Sequence, residues 1–283
     1  MTGIALTRPL LFGDLARTLR KSGAMFRRDA SLALSYDYLF WGNWIALGIQ
    51  VLSFYFISKL IPDSPKYGFQ HHAASYFQFI AINLAFVRFQ ATAIQCFQTA
   101  IRDDQLAGTL EAIMATPTSI PVIILSRGLW AFTLTMLQVA VFLLLAAGLG
   151  LNLGHANLGS TVLFILLTVA CMSPLGVMAA ASIMTFKQGA ASTFLMGGLT
   201  QLFGGVFFPV STLPPALQVI SWLMPITHSL QGIRGAVHGA SIAQLAPEAI
   251  WLTIASVILL PISLWLFARA VHVAKVDGTL GHY

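Results

Sequence analysis

Between Arg127 and Lys187 the chain carries no Asp, Glu, Lys or Arg. At roughly 20 apolar residues per bilayer crossing, that stretch is too long for one span and suits two joined by a turn. The turn is the GLNLGHANLGS run at 150–160. A second uncharged run lies between Lys187 and Arg234. Overall 57% of the 283 residues are hydrophobic and 8% charged, where a soluble domain carries about 25% charged residues. Such a chain cannot cover its own surface in water, which argues against a soluble enzyme, a nucleic-acid-binding module or a disordered protein. The fold class expected is an all-α membrane protein with about six transmembrane helices.

The spans are expected at about 39–61, 76–97, 122–149, 161–183, 192–208 and 250–270. Trp41, Trp44 and Lys59 would anchor the first at the interfaces. The second is unusually polar, with Asn83, Arg88, Gln90 and Gln95 inside it, so it should face protein or water rather than lipid. Pro174 is tolerable as a kink in the fourth. The fifth is followed by Pro209, Pro214, Pro215 and Pro225 among apolar residues. Prolines at that density forbid one continuous helix, while Leu213, Leu217, Ile220 and Leu223 are too apolar for a solvated loop. Short re-entrant helices over about 209–234, dipping into the outer leaflet before the last span, satisfy both demands.

Ahead of the first span, Leu11, Phe12, Leu15, Leu19 and Phe26 fall on one side of a helical wheel and Arg17, Arg20, Lys21, Arg27 and Arg28 on the other. This pattern describes an amphipathic helix in the headgroup plane. The division expected is a cytoplasmic tail and interfacial helix over 1–35, a permease region over 36–275 and a cytoplasmic tail over 276–283. Met1 to Phe12 is too short and polar for a cleaved leader, so the first span should serve as the insertion signal. Eleven Lys and Arg fall on the side of the termini, while Lys59, Lys66 and Arg234 fall opposite and Arg88 lies within a span. That imbalance places both termini in the cytoplasm. Cys96 and Cys171 are distant and lie in apolar runs, so neither a disulfide framework nor a metal cluster is indicated.

No GxxxxGK[ST] phosphate loop, HExxH or GxSxG occurs, and all nine Asp and Glu lie in loops or at predicted helix ends. The chain should therefore hold no catalytic residue, cofactor or metal of its own, and a carrier coupled through an intramembrane carboxylate is disfavoured. The segment IRDDQLAGTLEAIMATPTSIPVIILSR at 101–127 is the most informative. Leu110, Ile113 and Met114 make an apolar stripe on a short helix, about 103–117, that Pro117 must end. Asp104 and Glu111 suit its positive end. By periodicity alone it either packs on the inner leaflet or waits for a partner.

The GTLEAIMATPTS wording resembles a signature of ABC-2-type transporter permeases. The run FFPVSTLPPALQVISWLMPITHSLQGIRGAVHG at 207–239 resembles the same family's region around its fifth span, where a proline, a Leu-Pro pair, a second proline and an arginine recur. Here those are Pro209, Leu213 with Pro214, Pro225 and Arg234. The resemblance covers about 27–275 and implies a permease in a bacterial inner membrane that pairs with a second copy, as a homodimer. It also implies two cytoplasmic ATPase subunits that bind ATP and Mg, docked through a coupling helix at Leu110, Glu111, Ile113 and Met114. The path would run along the dimer axis between the second and fifth spans, with Arg88, Pro209, Pro214, Pro225 and Arg234 as candidate path or gate residues. Membrane lipid, not nucleic acid, is the other expected contact. The wording looks closer to the drug- and lipid-exporting branch than to the polysaccharide-exporting branch, with a polysaccharide or glycolipid exporter permease as the alternative within the family. From another class, the rival is a self-sufficient secondary carrier or channel.

Arg88 has two readings, a cavity-lining cation or a structural anchor to backbone carbonyls of a neighbouring helix. His71 and His72 read as a solvated loop rather than a metal pair. The aromatics at 54–56 and 76–79 read as interface residues.

Overall fold

In the computed structural model the described residues are 23, 26–27, 30–31, 37–60, 76–106, 108, 120–186, 197–198 and 200–276. Their regular structure is helical: α1 (Asp37–Leu60), α2 (Tyr76–Leu106), α3 (Ile120–Gly148), α4 (Leu158–Phe186), a 3-10 turn (Val210–Thr212), α5 (Pro215–Leu223), α6 (Pro225–Val237) and α7 (Ala246–Val276). Residues 200–203 are also helical. The chain is an all-α protein, and α2, α3, α4 and α7 are long and apolar enough to cross a membrane. Of the other two expected spans, α1 is present as a helix diluted by Asn43, Gln50 and Lys59. The fifth lies partly outside the described residues. So does most of the interfacial segment, where the described Phe26 packs edge-on against Trp130 of α3 with ring centroids 5.4 Å apart.

Sequence chemistry sets the helix ends. Gly108 adopts φ +65° just past α2, the left-handed conformation in which glycine stops a helix without steric cost. The α2 helix consequently runs on to Leu106, and 103–106 form its last turn rather than the start of a coupling helix. Asp104 is buried there, not placed at a following helix's positive end. Asn157 caps α4, its Oδ1 accepting from Ser160 N at 3.2 Å. Pro215 and Pro225 occupy the first positions of α5 and α6, where the missing N–H would have no partner in any case. The α7 helix runs past Arg269 to Val276, further than its expected end at about 270.

The α2 helix is the central element. In its most apolar stretch 72% is buried, against 17% for α7, because α4 packs closely on it and α7 covers α4 from outside. Close approach between α2 and α4 is set at Gly176, where an added Cβ would lie 2.2 Å from the Ala93 carbonyl oxygen. The principal core joins Phe86, Phe142, Phe164, Ile226 and Leu230, drawing on α2, α3, α4 and α6.

Candidate functional site

The segment after 203 is built as a chain of stops and restarts. Gly204 and Gly205 turn the backbone, Gly205 at φ +71°, a conformation that disfavours any side chain. An added Cβ at Gly204 would meet Ile226 of α6 at 2.4 Å. Pro209 precedes the 3-10 turn, Pro214 caps α5 and Pro225 begins α6. All three prolines therefore break the backbone as expected. The α5 helix leaves Val219, Ile220, Trp222 and Leu223 exposed, whereas α6 is buried along most of its length.

What holds α6 in place is small and polar. Phe164 of α4 fills the space over Gly232, so that an added Cβ would fall 2.0 Å from its ring. Thr168 Oγ1 and Ser229 Oγ share a short hydrogen bond between α4 and α6. Asn157 N donates to the Ala236 carbonyl at 2.9 Å. His228 stacks on Trp251 of α7 at a centroid separation of 4.4 Å, and its Nε2 lies 2.8 Å from the Trp222 carbonyl oxygen.

Arg234 is the charged member of this arrangement. The sequence counts it with Lys59 and Lys66 on the side away from the termini and names it a candidate path or gate residue; it is buried on α6 at 6% exposure. Its Nη1 donates to Asn83 Oδ1 at 3.3 Å, and Cζ lies 4.9 Å from the Phe79 ring centroid. Asn83 in turn donates through Nδ2 to the Val206 carbonyl at 2.8 Å and to that of Gly205 at 3.3 Å. Tyr76 Oη donates to the Phe207 carbonyl at 3.4 Å, and Phe54 of α1 stacks on Phe207. One face of α2 thus grips the turn that leads into the proline segment. Among the described residues Arg234 Nε has no hydrogen-bond partner.

Arg88 sits on a different face of α2. Its Nη2 donates to Gln50 Oε1 of α1, and Cζ lies 5.7 Å from the Phe142 ring centroid of α3. The partner is a side chain rather than the backbone carbonyls of the anchoring reading. Arg88 Nε is buried without a partner among the described residues. The structure therefore brings Arg234, Pro209, Pro214 and Pro225 into one segment and leaves Arg88 apart from them. Leu110, Glu111, Ile113 and Met114 lie outside the described residues, as do His71 and His72.

Sequence reasoning missed Asn83 as the junction, the Gly232–Phe164 contact and the His228–Trp251 stack. The Gly-Gly pair at 204–205 and the small residues of PITHSLQGIRGAV were the available signals.

The family model for ABC-2 type transporters matches residues 22–238. The chain belongs to the ABC-2 type transporter family. The match takes in α1 to α6 together with the segment containing 110–114, and it stops at the residue after α6. No curated relative matches the sequence. Membership of this family makes the chain a membrane transport subunit, and its apolar helices agree with an integral membrane protein.

Proposed function

We propose that this ABC-2 transporter chain is the permease of an ATP-binding cassette exporter that moves an amphipathic, drug- or lipid-like substrate out of the cytoplasm. Two separate ATPase subunits hydrolyse ATP with Mg and dock at Leu110, Glu111, Ile113 and Met114. A second copy of the chain completes the path, and both termini face the cytoplasm. The observation that carries this reading is the family match over 22–238. It is supported by the absence of any phosphate loop from the sequence, which fits an ATPase site carried by a partner. The exposed apolar side chains of α5 support an outer-leaflet position for the proline segment, and the basic excess on the side of the termini supports the orientation.

The test is affinity purification of the tagged chain from cells that also express the candidate ATPase. The expected result is a stable complex that hydrolyses ATP, and a separately purified permease that does not. Hydrolysis by the rigorously purified chain, or transport driven by an ion gradient with no ATPase present, would overturn the proposal.

A further inference from the structure

Three helices show exposed faces of two kinds. On α1 the exposed stripe is Trp41, Ile45, Ile49, Leu52, Phe56 and Leu60, spaced as one side of a helix and fit for lipid. The exposed face of α7 is likewise apolar, with Ile250, Ile254, Val257 and Ile258. On α2 the residues of 79–101 that are not buried are Arg88, Ala91, Thr92, Gln95, Thr99 and Ala100. None is a large hydrophobe. The spacing 88, 92, 95, 99 keeps the polar ones on one side of the helix, and the exposed Arg102 continues that line to the helix end.

Hydrocarbon cannot solvate such a face, because an unpaired amide or guanidinium in lipid is costly. Some of the polar groups are partly satisfied within the protein. Thr92 Oγ1 pairs with Thr135 Oγ1 at 2.6 Å, and the Thr99 hydroxyl donates to the Gln95 and Cys96 carbonyls at 3.1 and 3.2 Å. The Gln95 side chain is exposed, and its amide has no hydrogen-bond partner among the described residues. Arg88 is tied through Nη2 while its Nε stays unpaired. The charge along the face is of one sign: α2 holds no acidic residue before Asp103, and α3 holds none at all. At the helix end Arg102 is followed by the exposed Asp103 and the buried Asp104, so the cation within the span is Arg88.

We propose that the Arg88, Thr92, Gln95 and Thr99 face of α2 is a hydrated track that receives the anionic head of an amphiphile, a phosphate or carboxylate, with Arg88 as its terminal cation. This rests on the permease reading and narrows its substrate class. The Gln95 amide supplies a neutral donor along the way, while the Thr92 and Thr99 hydroxyl protons are engaged within the protein and leave those side chains as the polar, hydrated lining. Arg88 supplies a fixed charge to which an oxyanion is drawn and from which a cationic head is repelled. Four residues separate Arg88 from Thr92 and eleven separate it from Thr99, which corresponds to about 6 Å and about 16 Å of helix rise. Screening over about 8 Å at physiological salt makes the attraction graded along the track.

The test uses single cysteines at Thr92, Gln95 and Thr99 in full-length chain with Cys96 and Cys171 replaced, reconstituted with its ATPase in inside-out vesicles. Two thiol reagents of similar size are compared, an anionic sulfonatoethyl and a cationic trimethylammonioethyl methanethiosulfonate, each normalised to its rate with a free thiol. Expected is modification at all three positions, none at a control cysteine at buried Phe86, and an anion-over-cation ratio several-fold above one at Thr92 that declines toward Thr99. Arg88→Gln should bring the ratio at Thr92 close to one, while Arg88→Lys keeps it raised. Dodecyl phosphate should slow labelling at Gln95 where dodecyltrimethylammonium does not. Absence of labelling at all three sites would mean a face sealed by protein or lipid and would overturn the track. A ratio indifferent to Arg88→Gln, or equal protection by both detergents, would overturn the anionic head. The labelling is read on the permease itself, so failure to recover an ATPase would count against the exporter reading without deciding the track.

Discussion

Asn83 and Arg234, 151 residues apart in sequence, meet through a 3.3 Å hydrogen bond from Nη1 to Oδ1. The same asparagine grips the carbonyls of Gly205 and Val206, so one side chain on α2 holds both a buried cation and the turn beside it. Asn83→Leu removes an acceptor from a charged group and strands two carbonyls, at a cost of about 1.5–3 kcal/mol for the charged bond alone. Arg234→Met removes the charge itself. The double variant should be less destabilised than the sum of the two singles by at least about 0.5 kcal/mol. Midpoints of thermal unfolding in detergent measure this, and strict additivity would show that the two residues act independently.

The Phe164 ring lies where a Cβ on Gly232 would go. Gly232→Ala should overpack the α4 to α6 contact and cost about 1–3 kcal/mol. Adding Phe164→Leu should recover most of the loss by opening the space. A Gly232→Ala chain as heat-resistant as the parent would mean that the two helices are free to part.

The proline segment offers two neighbouring surfaces for comparison. Cysteines at Val219 and Leu223, on the exposed apolar side of α5, should resist a membrane-impermeant maleimide applied from outside. Cysteines at Ser241 and Gln244, exposed ahead of α7, should react readily. Uniform fast labelling of all four would place α5 in water and remove the outer-leaflet position from the proposal.

Docking of the ATPase is tested at Ile113. If Leu110, Ile113 and Met114 fill an apolar groove, Ile113→Asp buries an unpaired carboxylate and should abolish co-purification of the ATPase while membrane insertion stays normal. Undiminished recovery of the ATPase with normal transport would refute the docking assignment.

Much of this architecture is legible in the sequence, and the exceptions have physical causes. The uncharged stretch between Arg127 and Lys187 marks α3 and α4, and Pro209, Pro214 and Pro225 mark where the segment after 203 restarts. The polar character of α2 implies a helix facing protein or water, and 72% of its most apolar stretch is buried within the protein. The burial of Arg234 is not legible, because its acceptors are a distant asparagine and the Gly205 carbonyl. The burial of α6 hides for a related reason. Thr227, Ser229, Gly232 and Gly235 are buried, and their value lies in letting backbones approach, which composition does not register. The end of α2 depends on the backbone angle at Gly108, so the four residues before Ala107 were assigned to the wrong helix.

The contact at Gly176 has a mechanical consequence. With the backbone of α4 resting on the Ala93 carbonyl and no side chain between, a slide of one helical turn would carry Met172 or Ala180 into a gap that admits only a hydrogen atom. Ratchet motion along this seam is blocked. The α2–α4 pair is expected to travel as a single strut during any change of access, with α6 held to α4 by the same kind of contact at Gly232, and the displacement falls to the smaller contacts of α1 with α2 and α3 and to the exposed α5.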